Sequence, residues 1–248
     1  MKIKLVLSYL GTNYSGYQVQ KNKLTIQGTI ERVLNEIFNK KVSLIASGRT
    51  DAGVSALNQI AHFEIEGYSQ DVSKLYKRMN VMLPEDIRIL KSEVVPDDFH
   101  SRFNAKKKTY CYNFYVSSAE IPMIDSFAFH VGSKLNIENM EKACEYLVGE
   151  KDFGAFCASN ADVVSKVRTI YYAKIIKNPI IDGLYTFEIC GNGFLYNMVR
   201  IIVGTLLQVG YGVLSIEEFE KIIKLKDRTK AGRTAKSKGL FLKSVQYN

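Results

Sequence analysis

The stretch SGRTDAGVSALNQIAHF, Ser47 to Phe63, holds one carboxylate, Asp51, in a tight polar loop between two apolar segments. Gly48 and Gly53 bracket the acid, and glycine permits torsions and close ligand approach that other residues resist. Arg49 lies two positions before it, and Thr50 and Ser55 add hydroxyls. An ionised carboxylate is a competent nucleophile. With an ordinary pKa of about 3.9 it needs no activating base at neutral pH. Asp and Gly are also common turn residues, so Asp-Ala-Gly alone equally suits a structural turn.

Three further blocks carry candidate chemistry. PDDFHSRFNAKKKTYCYNFYV, Pro96 to Val116, mixes Arg102, Lys106, Lys107 and Lys108 with aromatics that alternate along a strand. Alternation suits a core face, the better reading for Phe114. Tyr110 opens the strand beside the basic run, where it could border a cleft. GNGFLYNMVRIIVGTLLQVG, Gly191 to Gly210, reads as a strongly apolar helix whose only charge is Arg200. A buried, unpaired guanidinium is costly, so Arg200 either snorkels to the surface or meets an acid. From Lys221 to Lys243 there are nine Lys or Arg residues against one acid, Asp227. A solvated helix face explains Lys221 and Lys224 well; it explains loop residues such as Arg233 and Lys236 less well.

Composition bounds the rest. A chain of 248 residues, 46% hydrophobic, can hold one large domain or two small ones. The net charge of +9 favours a polyanionic partner. The most apolar segment, Tyr196 to Val209, is too short to span a bilayer and contains Arg200. MKIKLVLSYL reads as a strand rather than a signal peptide, so the expectation is a cytoplasmic protein with no membrane partner. The four cysteines form no Cys-x-x-Cys pair and the three histidines are scattered. No metal site is expected, no cofactor, and the thiols read as reduced and mostly buried.

The elements that must position these residues follow from periodicity. Strands are expected at Lys2–Tyr9, Lys41–Ala46, Gln59–Glu66 and Ile87–Val94, with helices at Ile26–Phe38, capped by Thr25, and Val72–Met82. The order β-α-β-β-α-β then recurs: strands Lys108–Val116, Val167–Lys177, Leu184–Cys190 and Gly239–Tyr247, helices Ile137–Val148 and Tyr196–Val209. An extra helix, Ile216–Leu225, opens with a capping box of Ser215 and Glu218. The fold class expected is α+β, two ferredoxin-like (RRM-like) halves with mainly antiparallel sheets joined side by side. Residues 1–104 form the N-terminal domain with the Asp51 loop, and 105–248 the C-terminal domain with Tyr110 and Arg200. A cleft between such halves is a favoured place for a ligand.

Taken whole, these blocks resemble the tRNA pseudouridine synthases of the TruA family. GRTDAGV, Gly48 to Val54, matches that family's GRTDAGVHA without a break; Ser55 stands where His is usual, and Asn58 where Gly is usual. The segment from Gly11 to Gln20 resembles GxxYxGWQ, with Tyr17 in place of Trp. Pro96–Val116 resembles DFHARFxAxxRxYxY, Gly193–Leu206 resembles GFLxxMVRxxVGxL, and the chain's end resembles AGxTAxxxGLxLxxVxY, with Lys236 where Pro is common. The resemblance implies isomerisation of uridine to pseudouridine at positions 38, 39 and 40 of the tRNA anticodon stem-loop. It implies that Asp51 is the nucleophile, that Arg200 pairs with it, that Arg49 fills the space of a flipped-out nucleotide and that Tyr110 stacks on the target uracil. It also implies a homodimer with one tRNA touching both subunits. RNA contacts are expected from Arg102, Lys106, Lys107, Lys108 and Arg233.

Two rival classes use the same surfaces. A non-catalytic RNA-binding protein gains nothing from a carboxylate where phosphates dock. An enzyme forming an aspartyl-phosphate wants further acids for a metal near Asp51, and Ser47–Phe63 supplies none.

Overall fold

The computed structural model describes residues 1–132, 134–159 and 163–247. The chain divides into two compact units, Met1–Lys106 with Phe241–Asn248, and Lys107–Leu240. Each is a mixed α+β body on a mostly antiparallel sheet. No helix among the described residues is long and apolar enough to cross a membrane.

The first unit contains β1 (Lys2–Tyr9), α1 (Ile26–Phe38), β2 (Ile45–Ala46), β3 (Ser55–Glu64), α2 (Leu75–Met82) and β4 (Ile87–Val95). β1 lies between β4 and β3, antiparallel to both, and β2 pairs antiparallel with β3. Alternation in KIKLVLSY buries Ile3, Leu5 and Leu7 completely on one face. Phe63, opposite Ile3, and Ile89, opposite Leu7, continue that face. α1 turns Ile30, Val33 and Leu34 inward, and the Phe38 ring lies 5.7 Å from that of Phe63. Thr25 caps α1 by accepting from the Gly28 amide at 3.3 Å.

The expected strand Lys41–Ala46 is shorter in the structure. The Val42 amide donates to Asn35 Oδ1 at 2.6 Å and the Leu44 amide to Glu31 Oε1 at 2.8 Å. Side chains of α1 thus take the bonds a neighbouring strand would have taken. The first turn of the expected helix Val72–Met82 is a 3-10 turn, Val72–Lys74, with the Asp71 side chain accepting from the Ser73 amide.

The opposite face of this sheet is covered by residues 97–103. Lys2 Nζ donates to the carbonyls of Asp97 and Phe99. His62, 2% exposed, bonds Ser101 Oγ at 2.8 Å and meets the rings of Phe99 and His100 edge-on. Burial, aided by His100 and Lys2 and opposed by Glu64, lowers the His62 imidazole from 6.5 to about 4. The unfolded chain therefore binds a proton on this ring near pH 6.5, whereas the folded one refuses it down to about pH 4. The stability this residue contributes is complete above pH 6.5 and is lost as pH falls through that window. Urea unfolding at pH 7 and pH 4.5 is expected to cost the wild type more stability than it costs His62→Gln. Equal losses in both proteins would refute the assignment.

The second unit contains β5 (Lys107–Val116), α3 (Pro122–Asp125), β6 (Phe129–Val131), α4 (Ile137–Glu145), β7 (Gly149–Asp152), β8 (Val167–Lys177), β9 (Leu184–Gly191), α5 (Met198–Gly210) and α6 (Ile216–Leu225). Its antiparallel order is β5-β9-β8-β7, with β6 parallel to β5. α3, β6 and β7 are absent from the sequence expectation, because three or four residues are too few to display a period. α5 is apolar almost all round and is correspondingly buried, lying against α4 and α6. α6 opens with the expected capping box.

The last strand, β10 (Leu240–Gln246), departs from the expected domain division. It pairs in parallel with β3, Phe241 opposite Ser55 and Leu242 opposite Ala56, so the chain's end joins the first unit. The Lys106 amide donates to the Gln246 carbonyl at 2.8 Å, and Tyr247 Oη to the Ser101 carbonyl at 2.8 Å. Alternation in GLFLKSVQY marks a strand but carries no information about which sheet offers it an edge.

Candidate active site

Asp51 sits in the loop between β2 and β3, half-buried, with Arg49 exposed beside it. The turn closes from the Val54 amide to the Asp51 carbonyl at 3.1 Å. Gly53 takes φ +77, a left-handed torsion that costs glycine nothing. Residues 11–17 wrap this turn. Gly53 donates to the Tyr14 carbonyl at 3.3 Å, and Tyr17 donates to the Thr50 carbonyl at 3.0 Å. At Gly11 a Cβ would meet the Val54 carbonyl oxygen at 2.1 Å, so only glycine lets the two backbones touch. Ser55 Oγ accepts from the Gly11 amide at 3.1 Å, and Asn58 Nδ2 donates to the Lys243 carbonyl at 3.1 Å. Ser55 and Asn58, two of the positions that depart from the family pattern, thus each hold neighbouring backbone.

Arg200 lies in the first turn of α5. Its Nε donates to the Ala235 carbonyl at 2.8 Å and its Nη1 to Asn197 Oδ1 at 3.0 Å. Asn197 precedes the helix at φ +59, a conformation asparagine tolerates better than most residues. The Ala235 amide returns a bond to the Arg200 carbonyl at 3.0 Å. Segment 231–235 therefore docks along α5 and orients the guanidinium. Arg233 itself is exposed, while its carbonyl oxygen packs on Gly204.

Tyr110 is half-buried on β5, opposite Ile189, with its ring edge-on to Phe194 at 5.1 Å. Lys107 and Lys108 are half-buried near the start of that strand, and Lys107 Nζ lies 4.9 Å from the Tyr171 ring centre. Arg102 and Lys106 are exposed in the first unit, Arg102 lying 5.8 Å from the ring centre of Phe103. Lys236 lies 6.0 Å from the Phe129 ring centre, and Lys238 is ion-paired with Asp125. Among the described residues, no group of three or more His, Cys, Asp or Glu could hold a metal ion, and all four cysteines are buried. Asp51, Arg49, Arg102 and Lys106 belong to the first unit; Lys107, Lys108, Tyr110, Arg200 and Arg233 belong to the second.

A family model described as tRNA pseudouridine synthase matches residues 5–104 and 143–248. The chain belongs to the tRNA pseudouridine synthase family. It is 42% identical over 245 residues to tRNA pseudouridine synthase A of Thermoanaerobacter sp. strain X514, covering 99% of each chain. It is 44% identical over 245 residues to that of Acetivibrio thermocellus, again covering 99% of each. It is 40% identical over 250 residues to that of Bacillus subtilis strain 168, covering all of both chains. A solved Cbf5-Nop10-Gar1 complex is a distant match, 12% identical with a TM-score of 0.37, over 96% of this chain and 57% of that one.

In this family member, sequence reasoning overlooked residues that act on the candidate site through others. Phe194 braces Tyr110, and Asn197 orients Arg200. The signal for Asn197 was present, since Asn directly before an apolar run is a helix-start residue. The helix begins at Met198, two residues after the expected Tyr196, which makes Asn197 its cap position. Gly204 also offered a signal, because a glycine inside an apolar helix usually has a packing reason.

Proposed function

We infer that this chain is a tRNA pseudouridine synthase acting at positions 38, 39 and 40 of the anticodon stem-loop, with Asp51 as nucleophile. The observation that carries the reading is 40% to 44% identity, over essentially the whole chain, to relatives named tRNA pseudouridine synthase A. The reaction breaks the N1–C1′ bond of uridine and joins C1′ to C5. The C5 proton leaves and N1 takes one up, so no atom is gained or lost overall. Asp51 attacks either C6 of the uracil or C1′ of the ribose, and departs as the new glycosidic bond is completed. Neither a metal nor a redox group takes part in these steps.

Arg200 is the proposed partner of that carboxylate, holding it ionised and oriented. The two bonds that aim its guanidinium support this role. Arg49, exposed on the same loop as Asp51, takes the space the flipped nucleotide vacates. Tyr110 stacks on the target uracil, a contact worth ~1–3 kcal/mol. Flipping a base costs a few kcal/mol, which stacking and pairing in the site offset. Arg102, Lys106, Lys107, Lys108 and Arg233 bind phosphates and position the stem without reading its sequence.

The proposed architecture is two ferredoxin-like halves. The strand order β4-β1-β3, with β2 on β3, supports it for the first. From the family resemblance we also carry a homodimer in which one tRNA touches both subunits, and a cytoplasmic location.

The test is tritium release from tRNA labelled at uracil C5, followed by mapping of the modified nucleotides. Release, with pseudouridine at positions 38 to 40, is the expected result. Tight binding without release would replace the enzyme with a non-catalytic RNA-binding protein. Release mapped elsewhere would keep the reaction and overturn the positions.

A further inference from the structure

β3 carries a residue that its register does not explain. Gln59 lies opposite Leu7, on the face that buries Leu5 and Leu7, and is itself fully buried. An amide there costs free energy unless its donors and acceptors are matched. Both of its polar atoms are engaged. Gln59 Nε2 donates to the Gly48 carbonyl at 2.9 Å. Gln59 Oε1 accepts from Ser47 Oγ at 2.5 Å and from the Ile60 amide at 3.1 Å. Beside it, Tyr9 Oη bonds Thr50 Oγ1 at 2.8 Å. Ser47, Thr50 and Tyr9 are all buried.

These partners are not scattered through the core. Ser47, Gly48 and Thr50 are three of the four residues that precede Asp51. One face of the sheet thus spends a buried polar network on the arm leading to a single carboxylate. A leucine or methionine would fill the same space without needing partners. A fully satisfied buried network rigidifies what it joins.

We propose that Gln59 and Tyr9 are positioning residues for the reaction, clamping Ser47, Gly48 and Thr50 so that Asp51 is held at its attacking position. This rests on the reading of Asp51 as nucleophile. Neither residue touches substrate. Their effect is on the orientation of the carboxylate, and a displacement of about 1 Å at a reacting group can lower a rate about 100-fold.

The test is single-turnover conversion of tRNA with enzyme in excess, using wild type, Gln59→Met, Tyr9→Phe and Asp51→Asn. Gln59→Met keeps the volume and removes the clamp. Tyr9→Phe removes only a hydroxyl, so it keeps the test decisive should Gln59→Met fail to fold. With folded enzyme quantified and kept saturating over tRNA, a folding defect leaves the rate constant of the folded molecules unchanged, whereas a positioning defect lowers it. The expected result is a rate constant down about 10- to 100-fold for Gln59→Met and several-fold for Tyr9→Phe, with the Kd for tRNA unchanged. An inert Asp51→Asn beside clamp variants at wild-type rate constants would overturn the clamp alone. An Asp51→Asn that converts tRNA at the wild-type rate would remove the nucleophile reading and the clamp with it.

Discussion

Replacing Asp51 with Asn is expected to abolish tritium release from uracil-labelled tRNA while tRNA still binds. The substitution keeps the size of the side chain and removes its charge, so the turn and its bonds to residues 11–17 have no reason to open. Those bonds run through backbone atoms of Tyr14, Tyr17, Thr50 and Gly53, none of which the change touches. What disappears is the proposed nucleophile. An amide oxygen is a far weaker attacking group than a carboxylate, and loss of a nucleophile that anchors a covalent route costs at least about 10³-fold. That corresponds to a barrier raised by ~4 kcal/mol or more. Binding is expected to hold or to tighten slightly, because a negative charge near a phosphate chain is lost. Release above a tenth of the wild-type rate would take Asp51 out of the chemistry. Equal loss of binding and release would place it in recognition instead.

Gly204→Ala is expected to destabilise the protein despite improving the helix. An exposed helical glycine changed to alanine gains ~1 kcal/mol from backbone entropy. Here the new methyl would stand 1.8 Å from the Arg233 carbonyl oxygen. Nothing at that end is flexible, since the obstacle is backbone. The same contact works in reverse, because a Cβ on Gly232 would stand 2.7 Å from the Gly204 carbonyl oxygen. The docked segment is also fixed by the Gly232 amide donating to Thr205 Oγ1 at 2.9 Å. Overpacking of this kind costs ~3 kcal/mol or more, which outweighs the propensity gain and leaves a net loss of ~2 kcal/mol. In a chain of this size that lowers Tm by roughly 5 °C. Because Ala235 aims the Arg200 guanidinium, the variant is also expected to lose at least about 10-fold in conversion rate at a temperature where it is folded. A variant with raised Tm would show that segment 231–235 is not held on α5 in solution.

The sequence by itself determined the elements whose cause is local. α1 begins and ends where its apolar spacing and Thr25 place it, and α6 begins at a capping box that needs only Ser215 and Glu218. β1 follows from strict alternation. The turn around Asp51 follows from Gly48 and Gly53, and the string Gly48–Val54 was distinctive enough to indicate the family. The proposed pairing of Arg200 with Asp51 rests on resemblance alone, since the side chain of one arginine in an apolar helix admits more than one partner.

Tertiary structure decided what depends on distant partners. β2 is short because the backbone of Val42 and Leu44 is satisfied by Asn35 and Glu31, side chains that periodicity assigns to the outside of a helix. β10 joins the first unit because β3 offers it an edge, and alternation is blind to which edge a strand finds. Gln59 read as one polar residue in a strand; only the sheet register placed it under the Asp51 arm. Gly204 read as a weak spot in a helix; only docking of segment 231–235 turned it into a requirement. Local sequence encodes torsions and periodic faces. Which groups meet across tens of residues is set by the burial and hydrogen-bond partners that the folded chain brings together.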